Sequence, residues 1–155
     1  MAPFTAAQGL EMAMQIEQNG ELFYTTIAGE TSIAEVKELF EFLAAQERNH
    51  YKVFEKLLGR VAASPQLVAM EQDEYASYLN VALDQALFSG PDKALAKARD
   101  AQDRETAVRT ALGFEKDTLL FFYDLREMVG DTDRETISKI VNEEKSHVRR
   151  LAKEL

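Results

Sequence analysis

Apolar residues recur at alternating steps of three and four along four long stretches of the chain, the spacing of the buried face of an α-helix. Capping-box patterns, a Ser or Thr followed three residues later by Glu or Gln, open three of these stretches, at Thr5, Ser32 and Thr132. Gly29, Gly59 and Gly130 are the predicted stops. The sequence therefore predicts helices over Thr5 to Ala28, Ser32 to Leu58, Asp103 to Val129, and Thr132 to nearly Leu155.

The connection between the second and third helices is long. It contains Ser64-Pro65, a helical stretch from about Gln72 to Phe88, and a short helix predicted from Pro91 to Ala98. Short turns elsewhere make neighbouring helices antiparallel, and a long central connection is typical of ferritin-like bundles. We therefore predict an all-α fold, a single ferritin-like four-helix bundle over 1–155, with a long crossover carrying an extra helix between helices 2 and 3.

Composition narrows the classes of protein that fit. The chain has 155 residues with 46% hydrophobic and 29% charged content, enough for one domain with a core, and its 7 glycines and 3 prolines favour helices. It has no cysteine, which excludes disulfides, thiolate metal sites and a Cys-ligated rubredoxin module. A net charge of -9 with no basic stripe argues against nucleic acid. No stretch is apolar enough for a membrane span and no export signal is visible, so a cytoplasmic location is expected.

Charged residues interrupt the inward stripes of all four helices. In the second and fourth helices the interruption is one Glu and one His, three residues apart, and in the first and third it is a single Glu. Both histidines of the chain therefore follow a Glu by three residues. The inward polar residues are Glu17, Glu47, His50, Glu115, Glu144 and His147.

Four carboxylates buried together would repel one another, so a positive charge is expected among them. Two divalent cations would balance them, with the histidines as neutral ligands. Glu-x-x-His presents an oxygen and a nitrogen on one helix face, and each lone Glu can bridge or complete the coordination from the opposing helix. Mixed carboxylate and imidazole ligation within helices indicates a pair of iron ions, with manganese and zinc as alternatives. A single histidine with this spacing would be interpreted as a surface or core residue, whereas two matched Glu-x-x-His motifs favour a metal-binding role.

Four segments carry a family resemblance: Ile16-Glu17 through Phe23-Tyr24, Glu47-Arg48-Asn49-His50, Phe114-Glu115-Lys116-Asp117 through Phe122-Tyr123, and Glu143-Glu144-Lys145-Ser146-His147. They cover the four core helices, and the chain resembles the rubrerythrin branch of the ferritin-like superfamily. The resemblance implies a carboxylate-bridged di-iron site that reacts with peroxide or dioxygen, often in a homodimer. It also implies that the six inward residues are the metal ligands.

The sequence departs from that family in three places. Rubrerythrins proper carry a second Glu one turn after the first on the third helix, where this chain has Thr118. A chain without cysteine cannot carry the rubredoxin segment, which implies an external electron donor. The crossover is longer than usual, around Tyr75 and Tyr78. Bacterioferritin shows a related pattern, but its haem-binding Met is replaced here by Arg48, so no haem is expected.

Several residues near the six have a weaker claim to a role. Glu21 lies one turn after Glu17 and is an alternative ligand or a group that contacts a ligand, although a surface salt bridge is favoured. Tyr24 and Tyr123 could reach the metals, but core packing is the plainer reading. Thr118 is a further candidate for contact with the metal ligands, whereas Glu143 is expected to face solvent or an Arg.

The leading functional hypothesis is a non-haem di-iron oxidoreductase, a peroxidase or ferroxidase. The alternatives are an iron-binding protein that oxidises and passes on iron without true turnover, and a bundle in which metal serves only to stabilise the fold. The physiological substrate and the electron donor are not specified by these residues.

Overall fold

A computed structural model describes residues 5–62, 90–101 and 103–155. Within these ranges the chain forms five helices and no strands. They are α1 (Ala6–Glu30), α2 (Ala34–Ala62), α3 (Pro91–Asp100), α4 (Arg104–Glu127) and α5 (Asp131–Lys153). The predicted all-α fold is thus confirmed, while the helix predicted from Gln72 to Phe88, with Tyr75 and Tyr78, lies outside the described residues.

Two helices begin at the caps that the sequence predicts. At the start of α1, the Gln8 backbone N–H donates to the Thr5 hydroxyl at 3.1 Å and the Thr5 N–H donates to the Gln8 side chain at 2.9 Å, which completes the capping box. At the start of α4, the Asp103 carboxylate accepts from the Thr106 N–H at 2.8 Å. Local side-chain chemistry therefore determines both helix starts.

The start of α5 differs from the prediction. The helix begins at Asp131 with Gly130 as its N-cap, so the capping box predicted at Thr132 is wrong. Gly130 makes no side-chain cap, and the first turn instead carries Asp131 and Asp133, whose negative charge complements the helix dipole.

The start of α2 and the predicted glycine stops also need correction. The Lys37 N–H bonds the Ile33 carbonyl at 3.0 Å, which places the N-cap of α2 one residue after the predicted Ser32. Gly29 and Gly59 lie inside α1 and α2 instead of ending them. A glycine in a helix costs about 1 kcal/mol relative to alanine, which the packing of two long helices readily offsets.

The helices pack as two antiparallel pairs, α1 with α2 and α4 with α5, and α1 also contacts α3 and α4.

The directions of α2 and α4 follow from the contacts above and below the inward glutamates and histidines. On one side of these polar residues, the Tyr24 hydroxyl donates a hydrogen bond to Glu115. On the other, the rings of Phe54 and Phe122 meet with centroids 5.0 Å apart. Both of these phenylalanines follow an inward Glu of their own helix by seven residues, so α2 and α4 run in the same direction. The end of α2 and the start of α4 are therefore at opposite ends of the bundle, as in ferritin-like folds.

None of the helices in the described ranges is both long and apolar enough to cross a membrane.

Candidate metal centre

The six inward polar residues lie together at the middle of the bundle. Four helices contribute: α1 and α4 each supply one glutamate, and α2 and α5 each supply a glutamate and a histidine from one helix face. Each residue is at most 2% exposed. The residues that the structure brings together are Glu17, Glu47, His50, Glu115, Glu144 and His147.

The cluster divides into two overlapping groups of four, and within each the candidate ligand atoms all lie within 4.8 Å of one another. One group is Glu17, Glu47, His50 and Glu144, and the other is Glu47, Glu115, Glu144 and His147. The glutamates of the two Glu-x-x-His motifs are therefore shared, whereas the lone glutamates of α1 and α4 each belong to one group. The sequence left open whether the lone glutamates bridge or complete the site; in this geometry Glu47 and Glu144, and not the lone glutamates, belong to both groups.

The oxygen atoms of Glu144 show the sharing directly. Oε1 lies 2.9 Å from Nδ1 of His50, and Oε2 lies 2.8 Å from Nδ1 of His147. Glu47 is placed in a similar way, with Oε2 4.0 Å from Nδ1 of His50 and Oε1 3.9 Å from Nδ1 of His147. The two imidazole rings are stacked with centroids 5.8 Å apart. Each histidine thus turns the same ring nitrogen, Nδ1, toward the carboxylates.

Much of the hydrogen-bonding capacity of the cluster is unused. Within residues 5–62, 90–101 and 103–155, both oxygens of Glu17, both of Glu47 and Oε2 of Glu115 are buried without a hydrogen-bond partner. Burying even one such group without compensation is costly, and native proteins rarely do so. Hard carboxylate oxygens and imidazole nitrogens that converge in this way fit a pair of divalent first-row metal ions.

The protonation properties of the cluster reflect burial and mutual repulsion. Burial, together with the charge of neighbouring carboxylates, raises the pKa of Glu17 and Glu47 well above the ordinary value, and raises the pKa of Glu115 to about 8. Burial acts in the same direction on Glu144, but the hydrogen bonds from both histidines outweigh it and lower the pKa of Glu144.

Both histidines gain protons in the metal-free cluster. Burial lowers their pKa, but hydrogen bonds to glutamates outweigh it, so the pKa of His50 and of His147 rises to about 10. In the absence of metal, protons therefore supply the positive charge that the carboxylates require. Cations that bind here must displace those protons.

Tyr24 lies directly against the cluster. Its hydroxyl donates to Oε1 of Glu115 at 2.6 Å, and its ring packs edge-on against Phe40 with centroids 5.4 Å apart. Both readings of Tyr24, a core residue and a hydrogen-bond partner of the site, therefore apply. Tyr123 is placed differently: its ring lies under Arg126 and Lys145, with no contact to the cluster among the described residues.

Thr118 and Glu21, the two remaining candidates, also differ in position: one is buried in the bundle and the other lies near its surface. Thr118 is fully buried one turn after Glu115, and no group in the described ranges hydrogen-bonds its hydroxyl. Glu21 instead pairs with Arg48 at 2.8 Å near the surface and is not part of either group of four. The salt bridge predicted for Glu21 is present, and Thr118 is the residue that adds a polar atom to the interior.

Glu143 faces solvent as predicted, with its side chain 52% exposed, but it also has a contact that the sequence did not predict. Its Oε2 lies 2.6 Å from Nε2 of His50, on the side of the ring away from the cluster. Histidines that bind metal commonly donate their other ring N–H to such an outer carboxylate. Its position beside Glu144, one residue off the inward stripe, was the available signal.

A glycine makes room beside the cluster. A Cβ atom at Gly20 would lie 2.8 Å from the ring of Phe114 and 3.4 Å from Cγ of Glu47. Gly20 lies three residues after Glu17 on the buried face of α1. The structure shows that its missing side chain lets an aromatic ring pack against α1 at the level of the site.

The chain matches the sequence model of the family described as Rubrerythrin over residues 9–155. No curated protein sequence matches it significantly. Among solved structures, the chain is similar to a protein of Thermotoga maritima that is provisionally described as a ferritin-like diiron-carboxylate protein. The TM-score is 0.68 at 23% sequence identity, over 99% of this chain and 95% of that one. This likeness concerns the fold.

Proposed function

Because the chain belongs to the rubrerythrin family, we propose that it is a di-iron carboxylate oxidoreductase that reacts with peroxide or dioxygen. The observation that carries the proposal is the buried cluster, in which five carboxylate oxygens have no hydrogen-bond partner among the described residues. Carboxylates are buried in this number only where a positive charge compensates them.

The six clustered residues are the proposed ligands of two cations. Glu17 and His50 would hold one ion and Glu115 and His147 the other, with Glu47 and Glu144 shared between them. Four ionised glutamates match the charge of two divalent ions. The chemistry that bound iron supplies is reduction of an oxygen–oxygen bond, one electron from each ion.

The remaining residues prepare the site for that chemistry. Tyr24 holds one carboxylate oxygen of Glu115 in place. The rings of Phe40 and Phe114, both buried, pack around Tyr24 and exclude bulk water from this end of the cluster. Thr118 adds a buried hydroxyl whose hydrogen-bonding capacity is unused in the described part of the chain and is available to a small oxygen-containing molecule.

Sustained turnover requires electrons from elsewhere. The sequence contains no cysteine and so holds no thiolate-ligated electron-transfer centre of its own. We therefore propose that a separate donor reduces the metal pair between cycles.

Anaerobic loading with ferrous iron, followed by desalting and elemental analysis, tests the metal part of the proposal. The expected result is two irons per chain in the native protein and none in a Glu144→Ala/His147→Ala variant, with parallel loading by manganese and zinc to compare preference. Failure of the native protein to retain metal would remove the functional assignment.

Stopped-flow mixing of the loaded protein with peroxide, and separately with dioxygen, tests the reaction. Oxidation faster than that of free ferrous iron, repeated when a chemical reductant is supplied, supports an oxidoreductase. A single slow oxidation without repetition would instead support an iron-handling protein. Retention of metal with a large loss of melting temperature on chelation and no redox response would support a purely structural role.

A further inference from the structure

The two halves of the cluster repeat each other in their ligands but not in the groups behind them. Nε2 of His50 lies 2.6 Å from Oε2 of Glu143. By contrast, every ion-pair contact of His147 is made through Nδ1, and among the residues that the structure describes no carboxylate lies at its Nε2. Among the described residues, therefore, an outer carboxylate lies against His50 and none lies against His147.

This difference is already present in the sequence repeat. Glu143 directly precedes Glu144 in the second Glu-x-x-His motif, whereas Gln46 directly precedes Glu47 in the first. A glutamine at the equivalent position carries no charge. The asymmetry therefore arises from residue identity.

The two lone glutamates differ as well. Oε1 of Glu115 accepts a hydrogen bond from Tyr24, whereas neither oxygen of Glu17 has a hydrogen-bond partner within the described ranges, and its Oε1 lies 3.6 Å from Nδ1 of His50. Phe122 takes the place of Tyr24 in the second half of the repeat, seven residues after Glu115 as Tyr24 is after Glu17, and it has no hydroxyl to donate. A cation near Glu17 thus compensates more unpaired oxygen than one near Glu115.

We propose that the two metal positions fill in order, the position of Glu17 and His50 first and that of Glu115 and His147 second, and that Glu143 is the positioning residue that sets this order. The inference rests on the metal pair proposed above. With Nε2 held as a donor to Glu143, the lone pair of Nδ1 faces the cluster, and the outer carboxylate strengthens the imidazole as a ligand. The unpaired oxygens of Glu17 act in the same direction.

The test follows the imidazoles directly, since the chain has only two histidines. The protein is labelled with ¹⁵N-histidine and titrated with zinc, which is diamagnetic, while long-range proton–nitrogen correlation spectra report the tautomer of each ring. A His147→Asn variant assigns the signals. The expected result is that His50 becomes metal-bound through Nδ1, with Nε2 protonated, during the first equivalent, and that His147 responds during the second.

Variants of the outer carboxylate complete the test. Glu143→Gln keeps an acceptor but removes the charge, and Glu143→Ala removes both. We expect each to weaken the first binding step by about 10- to 100-fold, the alanine variant more, so that the two imidazoles respond together. Glu143 is half exposed, so folding is expected to be retained, which circular dichroism checks. Glu135→Gln makes the same charge change at an exposed site of α5 and should leave the order unchanged.

Simultaneous response of both rings in the native protein, or an unchanged order in the Glu143 variants, would overturn the proposal while leaving the metal pair intact. If neither ring responds to zinc, both the proposed metal pair and the proposed order of filling are overturned.

Discussion

Tyr24 and Glu115, which are 91 residues apart in the chain, are joined by a buried hydrogen bond of 2.6 Å between the phenol and one carboxylate oxygen. This bond connects α1 to α4, the helices that carry the two lone glutamates of the cluster. It also gives Glu115 a hydrogen-bond donor, which Glu17 lacks within the described residues. The tyrosine is therefore part of the packing of the bundle and of the electrostatics of the site.

Removal of this bond should destabilise the metal-free protein. Tyr24→Phe leaves Oε1 of Glu115 buried without its donor, which is expected to cost about 1–3 kcal/mol of unfolding free energy. Urea denaturation of the chelated protein measures it. Tyr123→Phe is the matched control because the ring of Tyr123 interacts with Arg126 and Lys145 away from the cluster. Equal effects of the two substitutions would contradict the prediction.

Metal stoichiometry should depend on whether a glutamate is shared. Glu144 belongs to both groups of four and Glu17 to one only. We therefore expect Glu144→Gln to lose both ions and Glu17→Gln to keep one, as measured by elemental analysis after loading and desalting. Both substitutions preserve side-chain volume, so they separate ligation from packing. Equal metal content in the two variants would show that the shared position is assigned incorrectly.

Stability of the metal-free protein should fall as pH rises. Glu115 has its pKa raised from 4.5 to about 8, so its ionisation penalises the folded state increasingly across that range. His50 and His147 have their pKa raised from 6.5 to about 10, so the stability they contribute is present at low pH and is lost as pH approaches the higher value. Both effects have the same sign. The lowered pKa of Glu144 acts oppositely, because its contribution is lost only in stronger acid.

Thermal melting of chelated protein between about pH 5 and pH 9 checks this prediction. The melting temperature should decrease over this window, whereas the affinity for metal should increase, because cations displace the protons held by the cluster. A melting temperature that rises over the same window without metal would contradict it.

Gly20 should not tolerate a methyl group. A Cβ atom there would lie 2.8 Å from the ring of Phe114, and we expect Gly20→Ala to cost about 1–3 kcal/mol from overpacking. Its gain in helix propensity, about 1 kcal/mol, is smaller. Gly113→Ala is the control, since no atom of the described residues lies within 4 Å of a Cβ at that position, and it should stabilise the protein. Urea denaturation measures both.

A second substitution tests the cause. Phe114→Leu in the Gly20→Ala background should recover part of the loss, because the smaller side chain leaves room for the methyl group. Additive effects of the two substitutions would show that the ring is not the obstacle.

The sequence alone determined the helices and the inward residues, because helical periodicity is a local property that repeats every 3.6 residues. It placed the Glu-x-x-His pairs of α2 and α5 on the buried faces, and the capping chemistry of Thr5 and Asp103 located two helix starts. The helix starts predicted at Ser32 and Thr132 were less accurate, because neighbouring residues can serve as the N-cap of the same helix.

Only the tertiary structure decided how the helices meet. Which glutamates are shared, the contact of Glu143 with His50 and the approach of Phe114 to Gly20 all depend on the relative register and rotation of different helices. No single helix encodes these relationships, because they follow from packing of side chains far apart in the chain. The sequence therefore determines which residue types form the site, and the fold determines the role of each residue within it.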